Sequence, residues 1–381
     1  MSPPDLALAE AAADGRTGAG PAIEATATTR PPRVLYAPVA GGEGSGERVR
    51  CEAVAAAVAR HAPGAVQALA GPVAPGLAEL DWLRLPASPT RAPAQLAEAI
   101  DRFRPDWLVF DSNARTAVLR HARRQGIGTV FIASRPRAVR RALSLQRPGR
   151  FDEVWLVEAL PPVGMAALLR QLRRALSGRS RVTRWSSLHL APDPGAAARR
   201  LASLGLAPGE FLLSCPGGGG YRRDGLASGE WLAQAAALAG ARLGLPVLAL
   251  AAPAAPAGTH RLDRVEQPEL LALAGLARAA LVGGGSLLVQ AVTEGVPCVA
   301  VPWQAEQQQR VLRMARQDLA CAAGASLEAT AACLQRLAAD PALRLRRQRA
   351  IAMAGLGNGL PEAATMLARL PALHRDADGR R

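Results

Sequence analysis

The chain is poor in the residues that build disulfide, metal and nucleophile sites. Its five cysteines (Cys51, Cys215, Cys298, Cys321 and Cys333) are dispersed, with no CxxC pair. That excludes a disulfide framework and a thiolate zinc site, and fits reduced thiols in the cytoplasm. His61, His121, His189 and His260 share no metal-ligand spacing and read as structural or surface residues. No DxD-type acidic pair stands beside a strand, so no metal is expected to be required. The Gly-x-Ser-x-Gly elbow is missing, as is any Cys–His pair, which removes the common hydrolase nucleophiles. Aromatic residues make up only 3% of the chain, and no RNA-reading aromatic motif, basic helix-turn-helix or zinc finger offsets that scarcity, so nucleic acid is not an expected partner. No apolar run reaches membrane-spanning length, and the first residues carry no signal-peptide pattern. The expected location is cytoplasmic, with contact at the inner face of a membrane left open. Lysine is missing altogether: every basic residue is arginine, a bias of base composition rather than of chemistry.

What is present is a basic, alternating α/β pattern. At 381 residues and 49% hydrophobic content, the chain can supply cores for two α/β domains. A formal net charge of +15 gives a surface suited to acidic partners, whether nucleic acid, anionic lipid or phosphorylated substrates. Residues 1–31 are rich in Ala, Gly, Thr and Pro and read as a disordered leader. Val34–Val39 then predicts a strand, Gly41–Glu47 a glycine loop and Arg48–His61 a helix. Pro105–Asp111 reads as a buried strand ending in a carboxylate, with further strands at Gly128–Ala133 and Phe151–Val157. Such alternation implies a parallel sheet with right-handed crossovers over 32–188. Pro192, Pro194 and Pro208 surround a short helix and mark a linker at 189–209. A second Rossmann-like domain is expected over 210–352. It opens with the strand Glu210–Cys215 and the loop Gly217–Gly220, and continues with a helix at Trp231–Leu243, a strand at Pro246–Ala251 and a helix at Leu270–Ala279.

The stretch around which this is organised begins with the apolar run Ala279–Val282. Gly283, Gly284, Gly285 and Ser286 follow, then a helix over Leu287–Glu294, a stop at Gly295-Val296-Pro297 and a strand at Cys298–Val301. A glycine loop between strand and helix lets the backbone approach a ligand and aims free N–H groups at an anion. This is a phosphate seat at the carboxyl edge of a parallel sheet.

The run GGGS, eight residues, GVP, four residues, PWQAEQQQ closely resembles the nucleotide-sugar donor motif of GT-B glycosyltransferases, notably family 28 and the family 1 UDP-glycosyltransferases. The resemblance implies two Rossmann-like domains with parallel sheets facing across a cleft, and a last helix within 353–381 that crosses back to the first domain. It implies that Gly284, Gly285 and Ser286 hold the diphosphate, and that Glu306 and Gln307 bind donor-sugar hydroxyls. The family's ribose-binding Glu falls on Gln290, which gives up the charge-assisted bond. The family's second glycine loop falls on Gly217, Gly218 and Gly219, where Arg222 or Arg223 would add charge, and Leu262–Val265 is similar to a segment beside the uracil base. Pro105–Asp111 is similar to the PDxLVxD strand of UDP-glycosyltransferases, whose final Asp orients a catalytic histidine. Gly44–Cys51 looks like the GxGHxxRC loop of the nucleotide-sugar hydrolases of pseudaminic acid synthesis, with Glu47 in place of the histidine.

Inverting sugar transfer needs a base for the acceptor hydroxyl and a seat for the departing nucleoside diphosphate. Glu47 is the candidate base, with Glu43 as its alternative. A Glu47 paired with Arg48 or Arg50 would serve loop structure only, and Asp111 reads either as a catalytic partner or as a strand-end structural carboxylate. The UDP-sugar is a substrate, and no cofactor is expected. In 135–184, twelve arginines stand against Asp152, Glu153 and Glu158, and Met165, Leu168, Leu169, Leu172 and Leu176 fall on one helical face. That basic amphipathic segment reads as a core-packing helix or as a contact for an anionic membrane. Three functions stay open: transfer from a UDP-sugar to a lipid-linked or hydrophobic acceptor, hydrolysis of a nucleotide sugar, and a non-catalytic binding protein.

Overall fold

A computed structural model of the protein describes residues 30–39, 46–142, 151–158, 180–218, 220–252, 254 and 256–371. The expected leader, Glu43 with its loop, the amphipathic segment Met165–Leu176, Gly219 and the polar tail lie outside the described residues.

The first domain runs β1 (Arg33–Pro38), α1 (Gly46–His61), β2 (Val66–Gly71), β3 (Asp81–Arg84), α2 (Pro93–Phe103) and β4 (Trp107–Asp111). It continues with α3 (Thr116–Arg124), β5 (Gly128–Ala133), α4 (Pro136–Ala142), β6 (Glu153–Val157) and β7 (Arg181–Trp185). These seven strands form one parallel sheet in the order β3-β2-β1-β4-β5-β6-β7. The central strands β4 and β5 are buried along their whole length, so both faces must be apolar, as helix-covered parallel sheets require. Leu35, Leu108, Phe110 and Phe131 fill the core beneath α2 and α3. Val34, Tyr36, Val109 and Val130 fill the opposite core, beneath α1.

The chain then passes through α5 (Pro194–Leu204), capped by the Asp193 side chain, which accepts from the Ala196 N–H at 2.9 Å. The second domain follows as β8 (Leu212–Cys215), a hairpin of β9 (Arg222–Arg223) and β10 (Leu226–Ala227), α6 (Ser228–Leu243), β11 (Val247–Leu250) and β12 (Thr259–Leu262). Next come α7 (Gln267–Leu276), β13 (Ala279–Gly283), α8 (Ser286–Thr293), β14 (Cys298–Val301), α9 (Ala305–Arg316) and β15 (Cys321–Ala322). The last elements are α10 (Leu327–Ala339), α11 (Pro341–Met353) and α12 (Leu360–Leu367). Its sheet is again parallel, ordered β12-β11-β8-β13-β14-β15. Leu262, the first residue of the segment Leu262–Val265, ends the edge strand β12. No helix among the described residues is long and apolar enough to cross a membrane.

Two passes of backbone join the domains, and they are zipped together. The Ser186 N–H donates to Gly357 O (3.1 Å) and the Gly359 N–H to Ser187 O (3.0 Å), while Asn358 Nδ2 donates to His189 O (2.7 Å). Beyond this zipper α12 lies on the first domain, where Leu360, Ala363, Ala364 and Leu367 share a core with Val54, Val58 and Trp155. Gly359 is what allows the close approach: a Cβ there would stand 2.0 Å from Cγ of Trp185. That atom is the root of the indole, so the whole ring would have to move. Gly359→Ala is therefore expected to cost about 1–3 kcal/mol by overpacking, read as a lowered thermal midpoint. An unchanged midpoint would mean that the indole relocates freely.

Candidate functional site

In open α/β sheets ligands bind beyond the carboxyl ends of the strands, where the strand order reverses. In the first sheet that point lies between β1 and β4, and in the second between β8 and β13. Gly46, Glu47 and Arg50 at the start of α1, with the loops after β8 and β13, line one cleft between the domains. Ser186, Ser187 and Leu188, which follow β7, also border it.

The second-domain wall is built on glycine. A Cβ at Gly283 would stand 2.1 Å from the Pro216 carbonyl oxygen, so the loops after β8 and β13 touch only because none is there. A Cβ at Gly284 would meet Val311 Cγ2 at 2.9 Å, which seats the loop on α9. Gly285 caps α8 and Ser286 opens it, and both line the cleft with the free amides and positive dipole end of the helix. Gln290, one turn further along α8, faces the same space. On α9, Glu306, Gln307 and Arg310 line the cleft, while Val311 and Met314 are buried on the opposite face. The Gln307 amide is oriented by the Trp303 N–H, which donates to its Oε1 at 2.9 Å. Glu306 is 4.0 Å from the exposed Arg137 of the first domain.

The loop after β8 contributes Gly218 and Tyr221 to the cleft, and Tyr221 lies parallel to Trp303 with ring centroids 6.3 Å apart. Gly217, at φ +76°, turns the chain and is not a lining residue. The two arginines expected to add charge here are used elsewhere. Arg222 donates to the Gly225 carbonyl within its own hairpin. Arg223 sits over the rings of Trp231 (4.9 Å) and Trp303 (4.8 Å) and donates to Pro302 O at 2.7 Å.

On the first-domain wall, Glu47 is the second residue of α1 and borders the cleft while being only 5% exposed. Its carboxylate pairs with Arg135 at 2.8 Å, and Ser112 Oγ lies 3.4 Å away. The partners expected from sequence are committed elsewhere: Arg48 pairs with Glu52 one turn along, and Arg50 pairs with Asp111. Asp111 is fully buried at the end of β4 and does not line the cleft. Arg50 Nε donates to its Oδ2 and Nη2 to its Oδ1, each at 2.8 Å, and Ser112 Oγ donates to Oδ1 at 2.9 Å. Arg50 follows Glu47 by three residues on α1, so the same helix face presents both, and the arginine, not the glutamate, reaches the strand-end carboxylate. Burial pushes the Asp111 carboxyl above its ordinary value, with Arg50 opposing. Ser112, at φ +70°, holds a left-handed backbone conformation that non-glycine residues seldom adopt.

The walls also touch each other. A Cβ at Gly46 would lie 3.6 Å from Ser286 Oγ, so the N-termini of α1 and α8 face one another. Glu158, just after β6, reaches Arg310 at 3.4 Å and Arg313 at 4.0 Å. His189 is fully buried in the linker, with Nε2 at 2.7 Å from Glu294 Oε1 and Nδ1 at 2.8 Å from Ser187 Oγ. Burial lowers its pKa and Glu294 opposes the shift. Among the described residues no group of three or more His, Cys, Asp or Glu side chains is placed to hold a metal ion. Arg135, Tyr221 and Arg310 are among the cleft residues that the sequence did not single out. Only Arg310 left a signal, its spacing of four from Glu306 on one helix.

No protein-family model and no curated protein sequence matches the chain. Solved structures do. Phytolacca americana UGT2, complexed with UDP-2-fluoro-glucose and pterostilbene, is 12% identical with a TM-score of 0.61, over 88% of this chain and 99% of that one. The spinosyn forosaminyltransferase SpnP is 15% identical with a TM-score of 0.61, over 89% and 100%. SsfS6, a glycosyltransferase of Streptomyces sp. SF2575, is 15% identical with a TM-score of 0.56, over 88% and 99%. The likeness runs through both domains of each neighbour. The fold is the GT-B arrangement of two Rossmann-like domains facing across a cleft.

Proposed function

We propose that this protein transfers a hexosyl or N-acetylhexosaminyl group from a UDP-sugar to a hydrophobic or lipid-linked acceptor, with inversion. One observation carries the reading: the amides at the start of α8, with Gln290, Glu306 and Gln307 beside them, stand across one cleft from the carboxylate of Glu47. Glu47 takes the proton of the acceptor hydroxyl as its oxygen bonds to the anomeric carbon. The bond from that carbon to the diphosphate oxygen breaks on the opposite side, and UDP leaves with its charge against the α8 amides and dipole. Those groups and arginine take the part that a metal plays elsewhere. Glu306 and Gln307 bind the donor-sugar hydroxyls and Gln290 the ribose. The basic 135–184 region holds the enzyme at the inner face of an anionic membrane, where a lipid-linked acceptor would be met. That structures of this fold have been solved with UDP-2-fluoro-glucose and with UDP supports the donor assignment.

Calorimetric titration tests it. UDP should bind well above ADP and GDP. Glu306→Ala and Gln307→Ala should each weaken a UDP-sugar by about 5- to 30-fold, the worth of one or two hydrogen bonds, with UDP itself unchanged. Loss of UDP binding in these variants would remove the two residues from the sugar subsite. Release of free sugar without an acceptor would redirect the assignment to a hydrolase. A second reading, a protein that binds nucleotide sugars without transferring them, is favoured by the Glu47–Arg135 ion pair, which engages the proposed base. Tight UDP-sugar binding with no turnover under any acceptor would select it.

A further inference from the structure

The cleft is lined by three arginines, Arg50, Arg135 and Arg310, and they are not equally engaged. Arg50 holds Asp111 with two bonds of 2.8 Å, and Arg135 holds Glu47 at 2.8 Å. These are the short distances of settled charge-assisted bonds. Arg310 is held more loosely. Its Nε and Nη2 lie 3.5 and 3.4 Å from the two oxygens of Glu158, and its Nη1 donates to the Gly284 carbonyl at 3.2 Å. Gly284 directly precedes the residue that caps α8, so the guanidinium rests against the loop whose amides form the anion seat.

Resting on the transfer reading, we propose that Arg310 is the donor-binding cation of this cleft, which leaves Glu158 to meet the diphosphate of the nucleotide sugar. A guanidinium stays charged at every working pH and offers five donors in a planar fork suited to phosphate oxygens. A diphosphate on the α8 amides presents more negative charge than one carboxylate and draws the fork from its long bonds. Glu158 is not stranded by the exchange, because Arg313 lies 4.0 Å from its Oε1. The arrangement also supplies the positive charge that Arg222 and Arg223, tied to Gly225 and Pro302, do not bring to the cleft.

Calorimetry with UDP and with uridine on the wild type, Arg310→Gln, Arg310→Lys and Glu158→Gln separates the outcomes. Arg310→Gln should weaken UDP by about 10- to 100-fold and leave uridine unchanged, since the missing bonds are those to phosphate. Arg310→Lys should recover part of the loss, and Glu158→Gln should bind UDP at least as tightly as the wild type. Equal weakening of UDP and uridine by Arg310→Gln, or a loss in Glu158→Gln as large as that in Arg310→Gln, would make the pair a structural clasp and overturn the proposal. Wild-type binding of UDP with Arg310→Gln unaffected would defeat this inference alone. Failure of the wild type to bind UDP would defeat the transfer reading and this inference together.

Discussion

Replacing Glu47 by Gln should cut sugar transfer by about 10²- to 10⁴-fold, the usual worth of a general base, while UDP binds as before. The amide keeps the volume of the carboxylate and can still accept from Arg135, the partner of Glu47 at 2.8 Å. The start of α1 therefore keeps its shape, and what is lost is the capacity to take a proton. The cleft supports this choice of residue. Glu47 and Glu306 are the carboxylates among its described lining residues, and Glu306 stands on the donor wall. Steady-state turnover with an acceptor, beside calorimetry of UDP, makes the test. Near-normal turnover would move the base elsewhere, first to Glu43, four residues earlier in the chain.

Asp111→Asn should lower folding stability by about 3–5 kcal/mol, the cost of leaving a buried charge without its partner. Arg50 is 7% exposed and Asp111 not exposed at all, so water cannot replace the lost carboxylate oxygen. The new amide would turn an N–H₂ toward a guanidinium that only donates. Removing both charges should recover most of the loss: Arg50→Met with Asp111→Asn leaves no bare ion, and buried pairs replaced by neutral groups are often near neutral in stability. Urea midpoints of the two single variants and the double variant measure this directly. A single-variant cost under about 1 kcal/mol, the range of exposed pairs, would show that solvent reaches the site. In the same pair Asp111 engages Arg50 and not the candidate base Glu47. Its oxygens are filled by Arg50 and Ser112, and Glu47 finds Arg135 instead.

Much of the fold was legible because the central strands are continuous apolar runs. Gly128–Ala133 and Cys298–Val301 were read with the bounds that β5 and β14 have, and the glycine loop before Ser286 marks the β13–α8 turn. The GT-B arrangement expected from the donor-like motif is the fold found. Strands without such a run escaped notice, among them the buried β2, which Gln67 interrupts. β3 has exposed residues and pairs on one side only, and β7 is the edge sequence Arg-Val-Thr-Arg-Trp, whose arginines belong to the basic stretch and hide a strand that a sheet edge tolerates. The cleft was legible in part for a different reason. Glycine loops and the Glu306-Gln307 pair are local patterns, whereas the Arg135–Glu47 and Arg310–Glu158 pairs join residues far apart in sequence and carry no periodicity.

The return of α12 to the first domain has a consequence for synthesis. A nascent chain extended to residue 188 already contains the whole seven-stranded sheet. Part of one core, around Val54, Val58 and Trp155, still awaits Leu360, Ala363, Ala364 and Leu367. Chains emerge from the ribosome amino end first and fold domain by domain where they can. Here the domain made first is completed last, and the second domain must be threaded out and placed before it can close.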